Sequence, residues 1–445
     1  MKNKFSKIIG TSKEEFDSFI KEGQIKVRPA RLIPTIKTGD EGALTSIFLS
    51  SLRLVKEYRD QIFKDLKLSR NGKIYYYTEF GIADKDQKEN RIDGLILIVI
   101  RGIIKDAAFF EMKNKTNLIE QTQIENYIRI AKDVKVKKLV TISNEFVSDH
   151  TQSPLNIKTP KDFALNHFSW TYLITKGQLL LFDNDQNIED DDQVEIMREV
   201  LAYMDSPVSG VSGYNQMKPE WKQLCDEIYQ SNVLNPRRDE FVSKAVLSWH
   251  QEEKDMALLL SKKLGVMVRS SAKKKDSIKS DSQKVCKEHH LRGELQIKNA
   301  VSDIKIKLDF ERRSVTMSIK INSIPPNKGT TARINWMHKQ IEYCRKKDSE
   351  LFQSLENKIF IDTDVKFARQ NLRVKYTDME SLLDETKGKE IQAFHILLAD
   401  SFGSKFSSRT RFIKLIEEMI LDFYEGMVQH ISTWTPPAPR VSQKE

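Results

Sequence analysis

Apolar residues recur at intervals of three and four from Leu44 through Ile47, Phe48, Leu52, Val55, Tyr58, Ile62, Phe63 and Leu66. That is the spacing of one buried helix face. The pattern predicts a helix over 43–66, with Asp40 or Thr45 placed to cap it and Lys64 and Lys67 at the end that favours cations. Asn71-Gly72 then turns the chain. Aromatic, β-branched and aliphatic runs over 73–82, 91–100 and 107–112 predict three strands with short polar connections. A second helical pattern covers 119–132, and strand-like runs follow at 138–142 and 168–174. Helix, three strands, helix, strand is an order that builds a mixed sheet covered by helices. Residues 1–40 read as a charged N-terminal arm with a short strand or two.

An acidic run over 184–193 reads as a solvated loop, and a helical pattern covers 194–204. Residues 205–213 hold one Pro, three Ser and two Gly, so a linker is expected over 205–215, after a domain spanning 41–204. The second half predicts helices near 216–230 and 240–263. A basic stretch over 262–287, with nine Lys or Arg and two Asp, reads as a loop. Strands are expected at 291–299, 303–310 and 313–322, a helix at 331–347, strands at 356–362 and 370–377, and helices at 388–399 and 408–431. The expectation is a second, α+β domain over 216–434 with a Pro-rich tail at 435–445.

Composition narrows the class. The 445 residues suffice for two or three domains with their own cores. Three cysteines, Cys225, Cys286 and Cys344, cannot form a disulfide framework. With no apolar run long enough to span a bilayer and no signal-like start, a reducing, cytoplasmic location without a membrane partner is expected. Lys plus Arg number 73 against 63 acidic residues, a formal charge of +10, which mildly favours polyanionic partners.

The chemistry concentrates between residues 79 and 127. Asp93 stands in Arg-Ile-Asp-Gly within a strand pattern, and 18 residues later Glu111 and Lys113 stand in Phe-Glu-Met-Lys at a strand end. Strand side chains alternate, so Glu111 and Lys113 share a face. Charges in so apolar a setting need partners. Asp93 and Glu111 could together hold Mg²⁺, which takes oxygen ligands and keeps several waters, while Lys113 orients or deprotonates a water and steadies phosphate charge. Gln123 and Tyr127, four apart, share one face of the next helix.

These residues, in this order, resemble the PD-(D/E)xK nuclease superfamily, with the Gln-x-x-x-Tyr motif of its RecB-like members. The resemblance covers residues 43–142, about 100 of the chain, and departs from the usual pattern in having Ile92 where a Pro commonly precedes the Asp. It implies a restriction-endonuclease-like mixed sheet flanked by helices. It further implies Asp93 and Glu111 as ligands of Mg²⁺ or Mn²⁺, Lys113 as the catalytic Lys, and Gln123 and Tyr127 beside the metal centre. A further carboxylate is expected from the first helix, Glu41 or Glu57, or from Glu79 at the end of the first strand. The implied activity is hydrolysis of phosphodiester bonds by a DNA endonuclease in bacterial restriction, repair or antiphage defence, with double-stranded DNA as partner and a homodimer for paired cuts. The alternatives are a non-catalytic nucleic-acid-binding or assembly protein with the same core, and an RNase or toxin effector.

Phosphate contacts are expected from Lys115, from Lys273, Lys274 and Lys275, and from Arg411. Ser143 and Asn144, after the strand at 138–142, read as turn residues, with hydrogen bonds near the expected site as the alternative. Zinc is not expected: His167 is isolated, and Cys286 with His289 and His290 falls short of four spaced ligands. No P-loop, dinucleotide fingerprint or nucleophile elbow is present.

Overall fold

A computed structural model describes residues 5–30, 32, 39–82, 91–147, 149–155, 157–182, 187–236, 239–271, 275–322, 328–368, 371–386 and 389–435. The chain is mixed α/β and divides into two compact units. One comprises Met1–Tyr214 with Ser261–Val266, the other Asn215–Leu260 with Met267–Glu445. No helix among the described residues is long and apolar enough to cross a membrane.

The first unit is built on a six-stranded sheet, β1(Ile25–Pro29), β2(Lys73–Ile82), β3(Ile92–Ile100), β4(Ile103–Met112), β5(Lys138–Ser143) and β6(Ala164–Ser169), paired in sequence order. Pairings from β1 to β4 are antiparallel, and β4–β5 and β5–β6 are parallel, so the sheet is mixed. Both faces are covered. Ile96, Phe110, Met112 and Val140 pack with α2(Glu41–Leu54), α3(Lys56–Asp65) and α5(Trp170–Phe182). Leu95, Phe109, Leu139 and Leu165 pack on the other face with α1(Lys13–Lys21) and α4(Gln121–Asp133). Double coverage is why β3 is continuously aliphatic rather than alternating.

Several expectations give way. The predicted helix over 43–66 is two helices, because Val55 is extended (φ −113°, ψ 103°) while remaining buried. Apolar periodicity runs on through that break, which hid it. Asp40 stands at the N-cap position but makes no side-chain cap bond. The N-terminal region has the short strand expected of it, β1, paired with β2, and among its described residues Phe16, Phe19 and Ile25 are buried in the core. The strand expected at 168–174 ends at Ser169, and α5 begins at Trp170. The linker region 205–215 also belongs largely to the first unit, held there by hydrogen bonds described below.

The second unit is built on an antiparallel sheet of seven strands, β7(Arg269–Ser270), β8(His290–Gln296), β9(Ile304–Asp309), β10(Ser314–Ile321), β11(Ile359–Val365), β12(Leu372–Lys375) and β13(Ile391–Ser401), in the order β12-β11-β13-β10-β9-β8-β7. Two corrections fall here. Residues 391–401 form a central strand rather than the expected helix. Short apolar runs are ambiguous between the two, and pairing to β10 and β11 decides it. The basic stretch 262–287 is not a loop throughout, since Lys275–Glu288 is helical. Trp221, packed on Phe310 (ring centroids 5.1 Å) and Phe412 (4.8 Å), anchors this unit's core.

Candidate active site

β3 and β4 run side by side with Gly94 opposite Phe110, so the preceding Asp93 and following Glu111 meet at one end of the pair. Gly94 is needed there. A Cβ at this position would stand 3.0 Å from Leu49 Cδ1 and 3.1 Å from Phe110 Cβ. Without one, α2 lies directly on β3, and its first residue, Glu41, comes to the strand ends.

Glu111 is completely buried. Lys113 Nζ lies 2.9 Å from Glu111 Oε1 and 3.4 Å from Glu41 Oε2. Beyond that ion pair, neither Glu111 oxygen has a well-formed hydrogen bond among the described residues. Asp93 Oδ2 accepts the Met112 N–H at 2.8 Å. Desolvation pushes the Asp93 carboxyl up to about 6, against the Met112 hydrogen bond and the Lys113 charge. Glu111 is raised well above the carboxylate range by burial and then by the Asp93 charge. The Lys113 ammonium is raised in turn by Glu111, Glu41 and Asp93, which outweigh its own desolvation. Two adjacent carboxyls in low dielectric cannot both ionise cheaply, so their proton load belongs to the pair.

The backbone around Lys113 is fixed on several sides. Its N–H donates to Ile142 O at 2.8 Å, and its carbonyl accepts from Trp170 Nε1 at 2.8 Å. The buried Asn114 amide donates to Gly39 O and Ser209 O, at 3.0 and 2.8 Å. Asn144 Nδ2 donates to Lys115 O and Gly210 O, and its Oδ1 accepts the Ser212 N–H. Residues 209–212 thus close over the strand ends. Sequence reasoning singled out neither Trp170 nor Asn114. Their roles are hydrogen bonds to carbonyls 57 and 95 positions away in the chain, which no local pattern encodes.

On α4, Gln123 Nε2 donates to Tyr127 Oη at 2.9 Å, and the Tyr127 hydroxyl donates to Arg91 O. Tyr127 therefore holds the strand two residues before Asp93. Burial and the neighbouring Glu111 charge raise its hydroxyl pKa.

Among the three further carboxylates considered, Glu41 reaches the site. It is bound to Lys113 and, through Oε1, to Asn117 Nδ2 at 2.7 Å. Glu57 lies on α3, beyond the Val55 break. Glu79, at a positive φ of 56°, pairs instead with Arg28 at 3.2 Å and Arg91 at 3.7 Å. Ser143 Oγ accepts the Glu145 N–H, a turn role. His167 is buried, bonded to Thr141 Oγ1 and Glu145 O, and lowered to about 4 by burial. Lys115 is exposed two residues past Lys113. Lys273 and Lys274 lie outside the described residues, and Lys275 opens the helix Lys275–Glu288. Arg411 is exposed on the helix Arg409–Gly426, which belongs to the second unit.

No group of three or more His, Cys, Asp or Glu arranged to hold a metal occurs among the described residues. Comparison with family models, curated proteins and solved structures finds no match to this chain.

Proposed function

We propose that the first unit is a Mg²⁺- or Mn²⁺-dependent nuclease of PD-(D/E)xK type on a restriction-endonuclease-like fold. It would hydrolyse phosphodiester bonds of double-stranded DNA, as an endonuclease serving bacterial restriction, repair or antiphage defence. The observation that carries this reading is Glu111. A carboxylate completely closed to solvent, with an ion pair but no well-formed hydrogen bond, is costly. A second carboxyl beside it makes it more so, and a shared cation would reverse the sign of that interaction. Two carboxylates with no nitrogen or sulfur donor suit a hard ion that keeps waters and shares a substrate phosphate. Asp93 and Glu111 would hold it, and it would supply Lewis-acid polarisation of the phosphate and a more acidic water.

The chain's own residues have separable tasks. Met112 N–H fixes the Asp93 carboxylate, and Gln123 and Tyr127 fix the strand that carries it. Lys113, with its pKa raised, stays an ammonium at neutral pH. It serves as a fixed positive charge for the developing phosphate charge, rather than as the base that its position in sequence also allowed. Glu41 restrains that ammonium from the helix side. Lys115 offers an exposed phosphate contact.

The test is a substrate panel of supercoiled plasmid, linear duplex, single-stranded DNA and RNA. Each is incubated with Mg²⁺, Mn²⁺ or EDTA, with Asp93→Ala as the blank. Metal-dependent internal cleavage of duplex DNA, absent in the blank, is the expected result. Salt-sensitive DNA binding without cleavage in either metal would instead make the protein a non-catalytic binder. Cleavage of RNA alone would make it an RNase.

A further inference from the structure

The second unit carries a cavity of about 630 Å³ on the open face of its seven-stranded sheet, within the size range of small-molecule sites. Strand register determines its floor. Ser314, Thr316 and Ser318 alternate along β10, facing the cavity, and none of the three hydroxyls has a protein hydrogen-bond partner among the described residues. Beside them, on β9, Thr316 is opposite Lys307 and Ser318 opposite Lys305. On the next strand, Lys307 is opposite Arg292. Two like charges directly across a strand pair destabilise a sheet; each is met by one carboxylate, Lys307 by Asp309 at 3.6 Å and Arg292 by Glu288 at 3.8 Å, and Arg292 also bonds His290 Nε2 at 3.0 Å. Lys305 and Arg312, also lining the cavity, make no ion pair among the described residues.

We infer that this cavity binds a small phosphate monoester on a sugar, the phosphate seated between Arg292, Lys307 and the Thr316 hydroxyl. The row supplies two cations and a donor, the complement of a dianion, and a bound dianion would convert the like-charge pair into a favourable arrangement. Carboxylates elsewhere in the lining, such as Glu294, would accept hydrogen bonds from sugar hydroxyls. A nucleic-acid strand is the poorer occupant. Among the described residues no Phe, Tyr or Trp lines the cavity to stack a base, and the lining carboxylates would repel a continuous phosphate backbone.

The test is calorimetric titration of the full-length protein with inorganic phosphate, ribose 5-phosphate, AMP and a 20-base-pair duplex. Saturable one-to-one binding of ribose 5-phosphate or AMP, weakened at least tenfold in Arg292→Gln/Lys307→Gln, is expected. Binding of both places the recognition in the sugar phosphate, whereas AMP alone adds a nucleoside contact. Thr316→Val gives a second, milder loss. Without ligand, the double variant should melt no lower than wild type, so lost binding is not lost folding. Asp93→Ala should bind like wild type, which separates this site from the nuclease reading. No saturable binding of either sugar phosphate, binding that survives both variants, or binding of the duplex alone on these residues would overturn the inference.

Discussion

Lys113 Nζ stands 2.9 Å from Glu111 Oε1, an ion pair whose acidic member is closed to solvent and whose basic member is 16% exposed. The ammonium is thus held at the mouth of the site by a carboxylate deeper within it. Lys113→Ala removes the charge nearest the acid pair without disturbing the backbone bonds to Ile142 and Trp170. Cleavage should fall by about 10²–10³-fold, the usual loss for one preorganised electrostatic group. Circular dichroism should show the fold retained. Loss of less than about tenfold would remove Lys113 from the chemistry.

The acid pair predicts proton-linked metal binding. Burial pushes the Asp93 carboxyl up to about 6 and raises Glu111 well above its ordinary value, so near pH 6 the pair holds a proton that a cation must displace. Mn²⁺ affinity should rise from pH 5.5 to 7.5. Calorimetry in two buffers of different ionisation enthalpy should report proton release, greatest at the acid end. Affinity independent of pH would mean that the pair is not the binding site.

Gly94 predicts a packing effect that reaches the site. In Gly94→Ala the new methyl meets Leu49 Cδ1 at 3.0 Å and Phe110 Cβ at 3.1 Å, so both must give by a few tenths of an ångström where α2 packs on β3. Denaturant unfolding should show a loss of about 1–3 kcal/mol, the range for overpacking a core. Cleavage should fall as Glu41 moves from Lys113. Unchanged stability would show that the helix has room to give.

His167 offers a pH signature independent of any metal. Its folded pKa is about 4 against an ordinary 6.5, because burial favours the neutral ring. Below 6.5 the unfolded chain takes a proton that the native ring refuses, so this contribution is complete above pH 6.5 and is lost as pH falls toward 4. Wild type minus His167→Gln should therefore lose stability on the order of 3 kcal/mol across that window. The difference is the needed readout, because the raised carboxyls of Asp93 and Glu111 act in the opposite direction. A flat difference would mean that the ring is protonated in the folded protein.

The sequence exposed those parts of the fold in which local pattern and environment agree. β3 is aliphatic because both its faces are covered, and α4 shows its amphipathic period, so both were legible. The Asp-Gly and Glu-x-Lys signals were legible because charge in an apolar strand is anomalous. Which of Glu41, Glu57 and Glu79 approaches the acid pair was not legible. That depends on where α2 lands on β3, on the Val55 break that carries Glu57 away, and on two arginines that take up Glu79. β13 was misread because its apolar run fits either period, and only pairing to two neighbouring strands settles it. The closure by residues 209–212 looked like a linker, since Ser and Gly give the same composition to a loose segment and to one tied down by Asn114 and Asn144.

The central claim is that Asp93 and Glu111 share a divalent cation. Anomalous diffraction from crystals soaked in Mn²⁺ near pH 7.5 tests it most directly. The account predicts a single strong peak in the first unit, within about 2.2 Å of an oxygen from each carboxylate, and absent from Asp93→Ala crystals. Crystals with Mn²⁺ elsewhere and nothing between these two side chains would contradict it.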